Sequence, residues 1–156
     1  MRSFICIAVV AIMLIISCNT PTKPEEQKEQ TLPIEGTWKL LSGTLIEKGD
    51  TTVTDYTKGS SFIKIINDTH FAFLRHDLSK GKDTTAVFSA GGGAYTLKGN
   101  NYTEHLEYCN DRQWEGNDFS FSITINNDTL TQQCIEKIDS IGVNRLNIEK
   151  YVRIKK

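Results

Sequence analysis

From Ile34 to the end of the chain, apolar residues recur with a period of two rather than 3.6. No stretch offers an i, i+3, i+4, i+7 stripe of helical length. Successive side chains of an extended strand point to opposite faces, so this alternation calls for strands with one buried face. The runs are rich in β-branched and aromatic residues and are separated by Gly, Asn, Asp and Ser. Three separators read as tight hairpin turns. Asn67-Asp68 lies between SFIKII and THFAFLR, Gly99-Asn100 between AYTLK and NYTEHLEY, and Asn127-Asp128 between FSFSITIN and TLTQQCIE. These residue types tolerate the positive φ that two-residue hairpin loops require. The expected class is all-β and antiparallel.

Taking the turns literally fixes which side chains share a face, because directly opposed residues point the same way. In the last hairpin Ile125 opposes Leu130, Ile123 opposes Gln132 and Phe121 opposes Cys134. Phe119, Phe121, Ile123 and Ile125 then form one apolar face, with Ser120, Ser122 and Thr124 on the other. In the middle hairpin Leu97 opposes Tyr102, Tyr95 opposes Glu104 and Gly93 opposes Leu106. One face there carries Tyr95, Leu97, Tyr102, Glu104, Leu106 and Tyr108, aromatic and apolar except for one carboxylate. Thr96, Lys98, Thr103, His105 and Glu107 form the wet face. A carboxylate among inward groups needs hydrogen bonds or a cation to stay ionised.

The N-terminus gives an address. Met1-Arg2-Ser3 precedes an apolar run of 13 residues, Phe4 to Ile16, and then Ser17-Cys18. One positive charge, a short apolar segment and a small residue before the cut describe a secretory signal. A spanning helix needs about 20 residues. Ile15-Ile16-Ser17-Cys18 resembles the lipobox of bacterial lipoproteins, which implies cleavage after residue 17 and acylation of Cys18. Residues 18–33 (CNTPTKPEEQKEQTLP) hold all three prolines, a run of charges and almost no apolar side chain, the composition of a flexible tether. The folded domain is expected over 34–156. A formal net charge of −1, one unit lower without Arg2, leaves no electrostatic footprint for nucleic acid and no basic patch for anionic lipid. Membrane attachment therefore falls to the acyl chains on Cys18. The outer membrane is the expected location, with orientation open, and the chain is expected to be a monomer.

Of the four cysteines, Cys109 and Cys134 remain in the folded part, where an oxidising compartment permits a disulfide. If both point inward, a whole strand lies between them. Two strand spacings are about 9.5 Å, whereas bridged Cα atoms sit about 4.4–6.8 Å apart. The hairpin reading argues against the bridge, although a bulge or strand end could restore it.

Ile34-Glu35-Gly36-Thr37-Trp38-Lys39-Leu40 resembles the G-x-W first strand of the lipocalin and calycin superfamily. Tyr151-Val152-Arg153 resembles its last strand, whose basic residue packs across that tryptophan at the closed end. FIKIINDTHFAFL, SAGGGAYTLKGNNYTEHLEY and NIEKYVRIKK extend the likeness to lipocalin-like lipoproteins of Bacteroidetes, a family of unassigned function. The resemblance implies a single antiparallel up-and-down β-barrel of about 8–10 strands, small hydrophobic or amphipathic ligands, and no catalysis. Fatty-acid-binding calycins hold a carboxylate with an R-x-Y pair on the last strand, and Tyr151-x-Arg153 departs from that order.

Candidate ligand-contacting residues are Tyr95, Tyr102, Glu104 and Tyr108, with Phe73 and Arg75 on the strand after Asn67-Asp68, and Arg153. The alternative for the tyrosines and Glu104 is a filled core with a satisfied polar pair, since small eight-stranded barrels can do either. Arg153 over Trp38 also reads as a structural cation–π lid. Gly91-Gly92-Gly93 lacks the helix start and Gly-Lys-Ser/Thr of a phosphate loop and instead fits a kink or bulge at a barrel corner. His70, His76 and His105 show no metal spacing, so no metal or cofactor is expected. No nucleophile, base and acid converge in the pattern. Residues 110–117 (NDRQWEGN) offer Trp114 either as an anchor for a protein partner or as a lid over the barrel mouth. The first of these gives the alternative function, an envelope interaction module that inhibits an enzyme or supports a complex.

Overall fold

A computed structural model describes residues 32–155. The expected signal peptide, Cys18 and all but the end of the tether lie outside the described residues. The strands are β1 (Gly36–Glu47), β2 (Asp50–Asp55), β3 (Ser60–Ile66), β4 (His70–Asp77), β5 (Phe88–Lys98), β6 (Asn101–Leu106), β7 (Tyr108–Cys109), β8 (Asn117–Asn126), β9 (Thr129–Ile138) and β10 (Val143–Arg153). Strands β3, β4, β5, β6, β8, β9 and β10 follow one another as antiparallel neighbours, and β10 closes on β1, which pairs β3. The result is the expected closed, lipocalin-like barrel, with eight strands in its wall. β2 extends the line of β3 along the far part of β1, and β7 adds to β5.

Two of the three turns form as read. Gly99 and Asn127 carry φ of +58° and +53°, and the ladders run Tyr95↔Glu104, Leu97↔Tyr102, Ile123↔Gln132 and Ile125↔Leu130. The first turn is displaced. Asn67 accepts the backbone N–H groups of Thr69 (2.9 Å) and His70 (2.7 Å) and bonds across to His70, so the loop is Asp68-Thr69 and Ile66 opposes Phe71. The slip is two residues, which leaves every side chain on its expected face.

A one-residue slip in the middle hairpin does change faces. Between Tyr95↔Glu104 and Gly92↔Tyr108 the chain advances three residues on β5 and four on the opposite strand. The extra residue is a β-bulge, and side chains beyond it reverse. Gly93 therefore does not oppose Leu106, and Tyr108 points outward, 67% exposed, rather than into the barrel. The glycine run serves this crowded site. A Cβ at Gly93 would lie 1.9 Å from the His105 carbonyl oxygen, and one at Gly91 would lie 2.6 Å from the Phe73 ring.

The β8–β9 ladder extends only from Asn126↔Thr129 to Ser122↔Gln133. Phe121 and Cys134 are both buried, but their expected pairing lies past its end. Cys109 and Cys134 are free thiols. At the closed end Trp38 is fully buried and donates Nε1–H to the Ile34 carbonyl at 2.7 Å. The Arg153 guanidinium lies 4.0 Å from the Trp38 ring centre and donates to the Glu35 and Pro33 carbonyls. Among the described residues no helix is long and apolar enough to cross a membrane.

Candidate functional site

The interior divides into two halves. Toward the hairpin-turn end, Trp38, Leu40, Ile66, Tyr102, Ile123, Leu130 and Tyr151 pack into an apolar plug. Toward the other end a cavity of about 220 Å³ remains. Phe62, Phe73, Trp114 and Phe119 form its aromatic wall, while Lys64, Glu104, Glu136, Asn147 and Glu149 supply polar groups.

Lys64 sits at the boundary between the halves, 3% exposed. It is there because β3 alternates: Phe62, Lys64 and Ile66 share the inward face, and Ile63 and Ile65 the outward one. Its Nζ donates to Glu104 Oε1 at 2.6 Å and to Gln132 Oε1 at 3.4 Å. The rings of Phe71, Tyr102, Phe121 and Tyr151 surround it with centroids 5.4–6.0 Å away. A buried ammonium is tolerable only with such a set of a carboxylate, an amide oxygen and aromatic faces. Burial pushes the Glu104 carboxyl above its ordinary value, and the Lys64 charge opposes part of that rise. Burial likewise raises the Tyr102 and Tyr151 phenols, reinforced by the charges of Glu104 and Glu149 respectively.

The polar chain continues upward. Gln132 Nε2 donates to Glu149 Oε2 at 2.6 Å, and the Tyr151 hydroxyl donates to the same oxygen at 2.9 Å. Above it, Glu136 accepts from Arg145 Nε at 2.6 Å and from Asn147 Nδ2 at 2.7 Å. Arg145 also stacks on Trp114, 5.2 Å from its ring centre, and Trp114 meets Phe119 at 5.8 Å. Trp114, carried on the short 3-10 turn Arg112–Trp114, is thus half-buried over the cavity mouth as a lid.

The residues expected to contact a ligand separate. Glu104 and Phe73 line the cavity. Tyr102 is fully buried in the plug, and its hydroxyl has no hydrogen-bond partner among the described residues. Tyr95 packs on Tyr102 at 5.2 Å and donates its hydroxyl to the Asn67 carbonyl at 2.7 Å, sealing the closed end. Arg75 points inward above the cavity with its guanidinium 5.1 Å from the Tyr56 ring, and its buried Nε is unpartnered. Arg153 belongs to the closed-end lid. Tyr108 flanks a shallow outer groove with His70, Leu74 and Gly92.

Lys64, Glu136, Asn147 and Glu149 lie beyond what the turn-based sequence reading reaches. A signal for Lys64 existed, because either register of the first hairpin puts it on the face of Phe71 and Phe73. For β10 no turn-based signal existed. It alternates without a break against β9, so Arg145, Asn147 and Glu149 point inward while Leu146 and Ile148 do not, and the bulge between Leu40 and Ser42 switches the face of β1 instead. Among the described residues no three His, Cys, Asp or Glu side chains cluster to hold a metal ion.

No family model matches the chain, and no curated protein matches it. Among solved structures it is similar to a crystal structure of a mutant of the fluorescent protein UnaG, at 11% identity, covering 79% of this chain and 97% of that one with a TM-score of 0.38. A likeness at this level bears on neither ligand nor role. The architecture rests on the strand pairing itself, a closed antiparallel barrel of the lipocalin type.

Proposed function

We propose that this protein is a non-catalytic carrier that holds one small amphipathic molecule in the upper half of its barrel. The observation that supports it is the cavity of about 220 Å³, whose lining combines aromatic rings, a tryptophan lid and a few charged groups. Ligand sites commonly combine an apolar lining with a few placed polar groups in this way. The apolar part of the ligand would pack on Phe62, Phe73, Trp114 and Phe119, and its polar part would meet Glu104, Glu149 and their neighbours. In this reading acyl chains on Cys18 tether the barrel to the cell envelope, at the outer membrane. It extends the motif likeness to lipocalin-like lipoproteins.

Native mass spectrometry of the protein purified from the cells that make it tests the reading. A bound molecule of discrete mass is expected, and Trp114→Ala should lower its retention by opening the lid. A bare protein under conditions that preserve other carrier complexes would contradict it.

A further inference from the structure

The Lys, Asp and Glu side chains that line the cavity are Lys64, Glu104, Asp111, Glu136 and Glu149, one basic group against four acidic ones. Two of the carboxylates are answered inside the molecule. Lys64 contacts Glu104 at 2.6 Å, and Arg145 contacts Glu136 at 2.6 Å. Glu149 is not. Its Oε2 takes only neutral donors, the Gln132 amide and the Tyr151 hydroxyl, and its Oε1 has no donor among the described residues. Asp111, at the mouth, also makes no ion pair among the described residues and adds to the same sign. The only other inward cation described in this half is Arg75, which stacks on Tyr56 and is not part of the lining.

We infer that the ligand is a small organic cation, an ammonium attached to an aromatic or aliphatic body, with its charge on Glu149 and its body against the aromatic wall. This rests on the carrier reading and narrows it. The barrel already shows that its interior chemistry suits such a group, for it holds the Lys64 ammonium between a carboxylate and four aromatic rings. Aromatic faces attract organic cations through the ring quadrupole, most strongly when water is excluded. The cavity lining offers the same two kinds of partner, aromatic rings and a carboxylate, Glu149, whose hydrogen-bond donors are neutral. An anionic ligand would have to approach Glu149 and Asp111 against like charge, at a cost in affinity.

The test is a calorimetric titration of the whole protein at low ionic strength with three probes of one skeleton: phenethylammonium, 2-phenylethanol and 3-phenylpropionate. Phenethylammonium should bind about tenfold tighter than either of the others, the usual reach of one charge-assisted hydrogen bond. Glu149→Gln, which keeps an acceptor for Gln132 and Tyr151, should erase that preference while the urea midpoint stays put. Asp111→Asn, at an exposed site that puts no fold at risk, should lower phenethylammonium affinity by a smaller factor. Tighter binding of 3-phenylpropionate, especially if lost in Arg75→Gln, would overturn the cation reading and leave the carrier standing. So would a preference for the cation that survives Glu149→Gln. If none of the probes binds, the cation reading falls, and the carrier falls with it only if native mass spectrometry also finds the protein bare.

Discussion

The two halves of one barrel solve opposite problems. In the closed half, Trp38, Leu40, Tyr102, Ile123, Leu130 and Tyr151 fill the interior with almost no exposed area, and a single arginine covers the end. In the open half the pattern is partly inverted. Arg145, Asn147 and Glu149 point in, whereas the outer face carries the row Ile46, Leu146 and Ile135, the last of them 61% exposed. β3 does the same, with Lys64 inside and Ile65 41% exposed outside. Burying ions rarely stabilises a fold more than burying apolar side chains of similar volume. A sequence that places isoleucines in water and charges indoors breaks the local rules, and such breaks concentrate at functional sites.

The comparison yields graded expectations. Lys64→Met strikes the boundary between the halves, leaving Glu104 buried without its cation, and should lower stability in urea denaturation by about 3–5 kcal/mol. Adding Glu104→Leu in the same chain should recover most of that loss, because removing both charges avoids the stranded one. A pair that is no better than the single variant would mean that Lys64 matters through packing alone. Gly93→Ala forces a side chain into the bulge that turns Tyr108 outward and should cost roughly 1–3 kcal/mol, as overpacking does. Arg153→Gln removes the closed-end lid and should cost about 1–2 kcal/mol, with ligand retention unchanged. If retention fell with it, the division into plug and cavity would be wrong.

The smallest expected effect lies at the rim. Hydrogen bonds from the Gly81 N–H, the Ser79 hydroxyl and the Val87 N–H hold the Asp77 carboxyl below its ordinary value. A depressed folded-state value means that the stability Asp77 adds is complete above the ordinary carboxylate range and is lost as the pH falls through the folded value. Asp77→Asn should therefore lower the thermal-denaturation midpoint modestly near neutrality and flatten the acid limb, the two proteins converging as the pH falls.

What the chain discloses in advance follows the same division. Hairpin turns with Gly99 and Asn127 set register locally, so Tyr95, Glu104, Ile123 and Gln132 could be paired from sequence, and the closed end followed from Trp38 and Arg153. The open half depends on interruptions that turn chemistry does not mark. The bulge opposite Gly93 sent Tyr108 outside, and a bulge between Leu40 and Ser42 switches the face of β1 against an unbroken β10. Lys64 stayed hidden because SFIKII offers two apolar-looking faces, and a lysine argues by default for the wet one. Only its partners, Glu104 and four rings from other strands, make the inward choice tolerable.

The most direct test of this division is amide chemical-shift mapping of the isotope-labelled protein during titration with phenethylammonium. The account expects shifts at Cys109, Trp114, Phe119, Glu136 and Glu149, with Trp38, Tyr95 and Arg153 unmoved. Shifts centred on the closed end, or on the outer groove beside Tyr108, would contradict it.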